Sequence, residues 1–188
     1  MATNDYEVPT FEDIFYISLE VAKKILRERV RFDCIVGISR GGLIPTRLLS
    51  DFLTIKDIRI IRSIYYTGTG ETLDRPLIDI STLGEVNGLK VLIVDDVADT
   101  GNTLMEVKNK ILDMGARQVL IATLYVKPWR KVEIDFYARE TDKWIVFPWE
   151  IKEVMEDLIN KGKIGPLLKK VMGRRDFNEI MGIIYDKR

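Results

Sequence analysis

The chain has 188 residues, 29 Lys plus Arg against 29 Asp plus Glu, and no histidine. Balanced charge gives no global electrostatic case for a nucleic acid or membrane partner. The missing imidazole excludes Ser-His-Asp and Cys-His catalysis and His-ligated zinc, so proton transfer falls to carboxylates, lysines or tyrosines.

The length fits one domain with room for an appendage. A hydrophobic content of 46% supports a true core, and 31% charged residues support a soluble surface. The single cysteine, Cys34, lies inside an apolar run. No disulfide can form within the chain, and a buried thiol fits a reducing cytoplasm. Residues 1–9 are polar and acidic, so no targeting segment is expected. No apolar stretch reaches the ~18 residues of a membrane span.

Thr10 followed by Asp13 reads as a helix cap with an acidic first turn. Phe11, Ile14, Phe15, Ser18, Val21, Ala22, Ile25 and Leu26 recur at helical spacing, predicting a core-facing helix to about Arg29. Asp33 to Ile38 reads as a short buried strand. Ser39-Arg40-Gly41-Gly42 follows, and Leu43 to Leu49 resumes as helix. Two glycines let backbone approach a ligand closely, and Arg40 adds a positive fork. A plain strand–helix turn would also need glycine here. Helix, strand and Gly-rich loop in this order begin an α/β pattern.

Asp57 to Ile64 reads as the next strand. Tyr65 to Thr72 breaks every periodicity and is too long for a plain connection, which suggests a lid. Gly68 and Gly70 are no dinucleotide fingerprint, because a third glycine and a following helix are missing. Leu77 to Ile80 is a candidate returning strand, and Asn87-Gly88 a turn.

Val91-Leu92-Ile93-Val94-Asp95-Asp96-Val97-Ala98-Asp99-Thr100-Gly101-Asn102-Thr103-Leu104 organises the rest. It reads as a buried strand, a tight loop and a helix start. Ligands in open α/β sheets sit beyond the carboxyl ends of the strands. Backbone N–H groups at a helix N-terminus bind anions. Asp99 to Thr103 thus has the makings of a phosphate cradle, with hydroxyls from Thr100 and Thr103. Asp95 and Asp96 can accept hydrogen bonds from sugar hydroxyls or hold a Mg²⁺ that itself binds phosphate. An ordinary strand–turn–helix would leave three carboxylates at one strand end with nothing to bind.

Thr103 to Met114 is then helical, with Leu104, Val107, Ile111 and Leu112 on one side and Gly115 as the stop. Gln118 to Val126 is another buried strand, ended by Lys127-Pro128. Val132 to Ala138 alternates like a strand in a second, smaller unit. Lys143 to Glu150 brings Trp144 and Trp149 near Pro148. After Trp149 come amphipathic pieces interrupted at Gly162 and Gly165-Pro166.

The stretch from Val91 to Leu104 resembles the 5-phosphoribosyl-1-pyrophosphate (PRPP) motif of the type I phosphoribosyltransferases. Ser39 to Gly42 resembles that family's pyrophosphate loop, which is often built around a cis non-proline peptide, here Ser39–Arg40. The segment Lys127-Pro128 to Trp149-Glu150 resembles the hood of the xanthine–guanine and hypoxanthine phosphoribosyltransferases. The resemblance covers roughly residues 33–150. It implies a Rossmann-like, mostly parallel twisted α/β sheet flanked by helices, with a small hood and a helical C-terminal tail. The implied division is a core over 1–127 with a flexible loop at about 65–79, a hood over 128–150, and an extension over 151–188.

The same resemblance implies the chemistry. PRPP would be held by Ser39, Arg40, Gly41, Asp95, Asp96, Asp99, Thr100, Gly101, Asn102 and Thr103. Mg²⁺ would be the cofactor, carried mainly by PRPP and met indirectly by Asp95 and Asp96. Asp99 would be the general base. Lys127 would donate to purine O6, Trp144 would stack on the purine, and the backbone at Ile145 would meet its 2-position. The expected partners are PRPP, a purine base and further copies of the chain in a homodimer or homotetramer. A transferase for adenine or a pyrimidine is one alternative, against which Lys127 and Trp144 argue. A PRPP-sensing regulator is another. The tail carries Lys161, Lys163, Lys169, Lys170, Arg174 and Arg175, but acidic residues accompany them.

Overall fold

A computed structural model describes residues 6–64, 67–68, 71–72, 77–171 and 173–185. It divides into two compact units, Phe15–Thr141 and a smaller one joining Met1–Ile14 to Asp142–Arg188.

The larger unit is built on a six-stranded sheet in the order β6-β3-β2-β7-β8-β9. Its strands are β2 (Cys34–Ser39), β3 (Ile58–Ile64), β6 (Leu77–Asp79), β7 (Lys90–Ala98), β8 (Gln118–Val126) and β9 (Phe136–Glu140). All neighbours run parallel except β6, which returns antiparallel along β3. Near-continuous apolar runs suit such strands, because helices cover both faces.

Alternation divides those runs. Cys34, Val36, Ile38, Val91, Ile93, Val119 and Ile121 share one core with Leu104, Val107 and Ile111 of α3 (Asn102–Asp113). The opposite face meets α2 (Leu43–Phe52). A Cβ on Gly37 there would come within 2.5 Å of Thr46 Oγ1, so β2 and α2 approach as closely as they do because residue 37 has no side chain.

The Tyr65 to Thr72 stretch holds a short antiparallel ribbon, β4 (Thr67–Gly68) on β5 (Glu71–Thr72). Tyr65, Tyr66, Thr69, Gly70 and residues 73–76 lie outside the described residues. Strand β9 starts later than alternation predicts, at Phe136 rather than Val132. Asp135 is the cause. Its carboxylate accepts from the Ile121 N–H at 2.8 Å and fills the place of a strand carbonyl.

The first helix, α1 (Phe11–Arg27), starts as the sequence indicates. Thr10 N–H donates to Asp13 Oδ2 at 2.7 Å, and the Asp13 N–H donates to Thr10 Oγ1 at 3.1 Å. This is a reciprocal cap closed by aspartate. Ile14, Ile17, Ser18, Val21, Ala22 and Ile25 are buried, whereas Phe11, Phe15 and Leu26 are exposed. The buried stripe is narrower than the apolar pattern, and it includes Ile17. Leu112 of α3 is likewise exposed.

In the smaller unit, β1 (Tyr6–Glu7) pairs in parallel with β10 (Trp144–Ile145). Helices α4 (Ile151–Asn160), α5 (Gly165–Val171) and α6 (Arg175–Tyr185) close a second core around Val146, Met155, Leu167, Val171, Phe177 and Ile184. Tail cations meet acids there: Lys161 with Asp157, Arg174 with Asp176, Arg175 with Glu179. Among the described residues no helix is long and apolar enough to cross a membrane.

Candidate active site

The chain runs from β2 outward to β3, then returns to β7 and runs the other way to β8 and β9. Strand order therefore reverses between β2 and β7. In open parallel sheets a crevice opens at such a point, outside the carboxyl ends of the strands. The segments that meet there are Ser39–Gly42 after β2 and Asp95–Thr103 at the end of β7. Lys127 follows β8 directly on the same edge.

The Ser39–Arg40 peptide is cis. Gly42 N–H donates to the Ile38 carbonyl at 2.8 Å, which turns the chain at once into α2. Gly41 lies against the Asp96 carboxylate so closely that a Cβ there would be within 2.7 Å of both Oδ1 and Cγ. A Cβ on Gly42 would come within 2.5 Å of the Val94 carbonyl. Both glycines are needed for loop and strand end to touch.

Consecutive strand residues point to opposite faces, so Asp95 and Asp96 flank β7 rather than share one side of it. Asp96 is buried, and its Oδ1 accepts from the Val97 N–H at 2.7 Å. Asp95 Oδ1 accepts from the Asp96 N–H at 3.0 Å. Burial, and then the neighbouring Asp96 charge, push the Asp95 carboxyl well above the ordinary carboxylate range. It keeps some exposed surface and stands opposite Thr123 of β8. The Thr123 hydroxyl is buried and has no hydrogen-bond partner among the described residues.

Next comes the loop into α3. Gly101 is its N-cap, with φ of 83° and no side-chain capping bond. Glycine is required there twice: for the left-handed backbone, and because a Cβ would run into Val132. The first N–H groups of a helix have no intrahelical acceptor, so this turn can receive an anion. Thr100 and Thr103 are half-buried and Asn102 is exposed around it.

Asp99 is exposed, and its Oδ1 accepts a hydrogen bond from Trp129 Nε1 at 2.6 Å. Lys127 is buried, and its ammonium lies 5.4 Å from the centre of the Trp129 ring. Sequence reading missed Trp129. The signal was available, since Lys127-Pro128-Trp129 puts an indole three residues beyond the end of β8 at Val126, at the edge that points at the crevice.

Ser39, Arg40, Gly41, Asp95, Asp96, Asp99 to Thr103 and Lys127 thus belong to one unit and one sheet edge. Trp144 and Ile145 belong to the smaller unit. There Trp144 is 64% exposed and Ile145 is buried, each paired through β10 with β1. An exposed indole on a two-residue strand is free of the core role that large aromatics usually play.

The phosphoribosyl transferase domain model matches residues 11–154. A xanthine-guanine phosphoribosyltransferase of Gluconobacter oxydans is 30% identical over 79% of this chain and 86% of its own length. The crystal structure of a purine phosphoribosyltransferase from Pyrococcus horikoshii is 41% identical, with a TM-score of 0.68 over 77% of this chain and 93% of that one. A Helicobacter pylori xanthine-guanine-hypoxanthine phosphoribosyltransferase structure is 27% identical, with a TM-score of 0.69 over 84% and 99% of the two chains.

Proposed function

The chain belongs to the phosphoribosyl transferase domain family, and from that premise we propose that it moves the 5-phosphoribosyl group of PRPP onto N9 of a 6-oxopurine. The products are a nucleoside 5′-monophosphate and pyrophosphate, a step of purine salvage. The observation that carries the reading is the crevice at the sheet's reversal. An acidic strand end touches a Gly-rich loop, beside a helix start without a side-chain cap.

The 5′-phosphate sits on Asp99 to Thr103, where N–H groups and hydroxyls donate to it. The ribose hydroxyls face Asp95 and Asp96, which accept. The pyrophosphate lies along Ser39, Arg40 and Gly41. As the bond from C1′ to the pyrophosphate oxygen breaks, positive charge grows on the ribose, and purine N9 forms the new bond. The base must lose a proton, and Asp99 accepts it at N7. Lys127 donates to O6. The family resemblance, rather than the geometry, is what assigns Trp144 to stacking on the purine and the Ile145 backbone to its 2-position.

Among the described residues there is no cluster of three or more metal-type ligands. Mg²⁺ would be carried mainly by PRPP, and the hard oxygens of Asp95 and Asp96 would meet it indirectly. When bound, the ion supplies neutralisation of charge on the leaving group.

The test is pyrophosphate release from PRPP and Mg²⁺ against hypoxanthine, guanine, xanthine, adenine and orotate. Turnover confined to the first three supports the reading. Preference for adenine or orotate defeats the 6-oxopurine assignment.

A further inference from the structure

Trp129 is 50% exposed, yet both its N–H and its ring face are engaged. The N–H donates to Asp99 at 2.6 Å, and the ring faces the Lys127 ammonium. The segment that carries it is fastened to the phosphate loop on both sides. Lys127 N–H donates to the Ala98 carbonyl at 2.9 Å, and Lys131 N–H to the Thr100 carbonyl at 3.0 Å. Val132 fills the space over Gly101. Arg130 anchors the segment outward, to Glu140 at 2.6 Å and over the Tyr137 ring. The indole therefore sits on a braced backbone between two groups that the proposed reaction uses.

We propose that Trp129 is a positioning residue that aims the Asp99 carboxylate through its N–H and steadies the Lys127 ammonium through its ring. This rests on the reading of Asp99 as proton acceptor and Lys127 as O6 donor. Backbone bonds alone set the loop-to-loop spacing. A carboxylate on an exposed loop would still rotate about its side-chain bonds, and the indole N–H removes that freedom. A cation over an indole face is attracted by the ring quadrupole, so the same ring limits the reach of Lys127. Orientation within the site converts directly into turnover.

Trp129→Phe keeps a ring and removes the N–H. The expected kcat for hypoxanthine falls about tenfold, the scale of one charge-assisted hydrogen bond. The PRPP KM stays within about twofold, since phosphate binding does not use the indole. In an Asp99→Asn background the same change has no further effect on kcat, because the group it aims is gone. Trp129→Gln keeps an N–H of similar reach and recovers kcat relative to Trp129→Phe. Having no ring face, it also narrows the preference for hypoxanthine over adenine. Wild-type kcat in Trp129→Phe, or an equal loss in both backgrounds, overturns the proposal while the transferase reading stands. Absence of turnover in the wild type with every base overturns both.

Discussion

Gly41→Ala isolates the contact that joins the pyrophosphate loop to the acidic strand end. The added Cβ would overlap Asp96 Oδ2 and lie 2.6 Å from Cγ and 2.7 Å from Oδ1. The obstacle is a short buried side chain, and its Oδ1 is already held by the Val97 N–H. Asp96 must rotate away and break that bond, or the loop must lift. Forcing one extra methyl group into a packed site costs about 1–3 kcal/mol. Loss of a hydrogen bond to a charged acceptor adds about 1.5 kcal/mol. For a chain of this size the sum lowers Tm by about 5–15 °C. Displacing either partner also spoils the crevice, so the PRPP KM should rise at least about tenfold, or ~1.4 kcal/mol. Gly182→Ala is the control. A Cβ there meets nothing within 4 Å, and in α6 it should stabilise by about 0.5–1 kcal/mol with kinetics unchanged. Thermal melts and PRPP saturation curves on the two variants decide the matter. A Gly41→Ala protein with wild-type Tm and PRPP KM would refute the argument.

Lys127→Ala should lower kcat/KM for 6-oxopurines sharply and shrink their advantage over adenine, because an ammonium has donors to offer O6 and no acceptor for an amino group; competition assays with both bases read this out. Trp144→Ala, by contrast, should weaken all purines by a similar factor, since stacking does not depend on the group at position 6. Acid should loosen the α1 cap. Hydrogen bonds from the Thr10 backbone, then from its side chain, hold Asp13 below its ordinary range. The resulting stability is complete above the unfolded pKa, about 4, and is lost as pH falls through the lower folded value. Denaturant melts of Asp13→Asn should thus show a deficit against wild type at pH 7 that shrinks below about pH 4, and a constant deficit would contradict the cap.

The sequence by itself determined the local elements. Strand β8 and the helix–loop boundaries around β7 follow from apolar runs ended by Asp, Gly and Pro, because these residues act within a few positions of themselves. The same holds for the α1 cap, where Thr10 and Asp13 are neighbours on one turn. Asp95, Asp96 and Asp99 to Thr103 were legible as a candidate site for that reason: strand end, loop and helix start are consecutive in the chain. Tertiary structure alone decided the rest. Which of the parallel strands adjoin, and where their order reverses, depends on crossovers that no local pattern records. The closeness of Gly41 to Asp96, the bond from Trp129 to Asp99, the later start of β9 under Asp135 and the pairing of Tyr6 with Trp144 all join residues far apart in sequence. Periodicity marks an apolar face but not how much of it is covered, which is why Phe11, Phe15, Leu26 and Leu112 stay exposed on helices whose other apolar residues are buried.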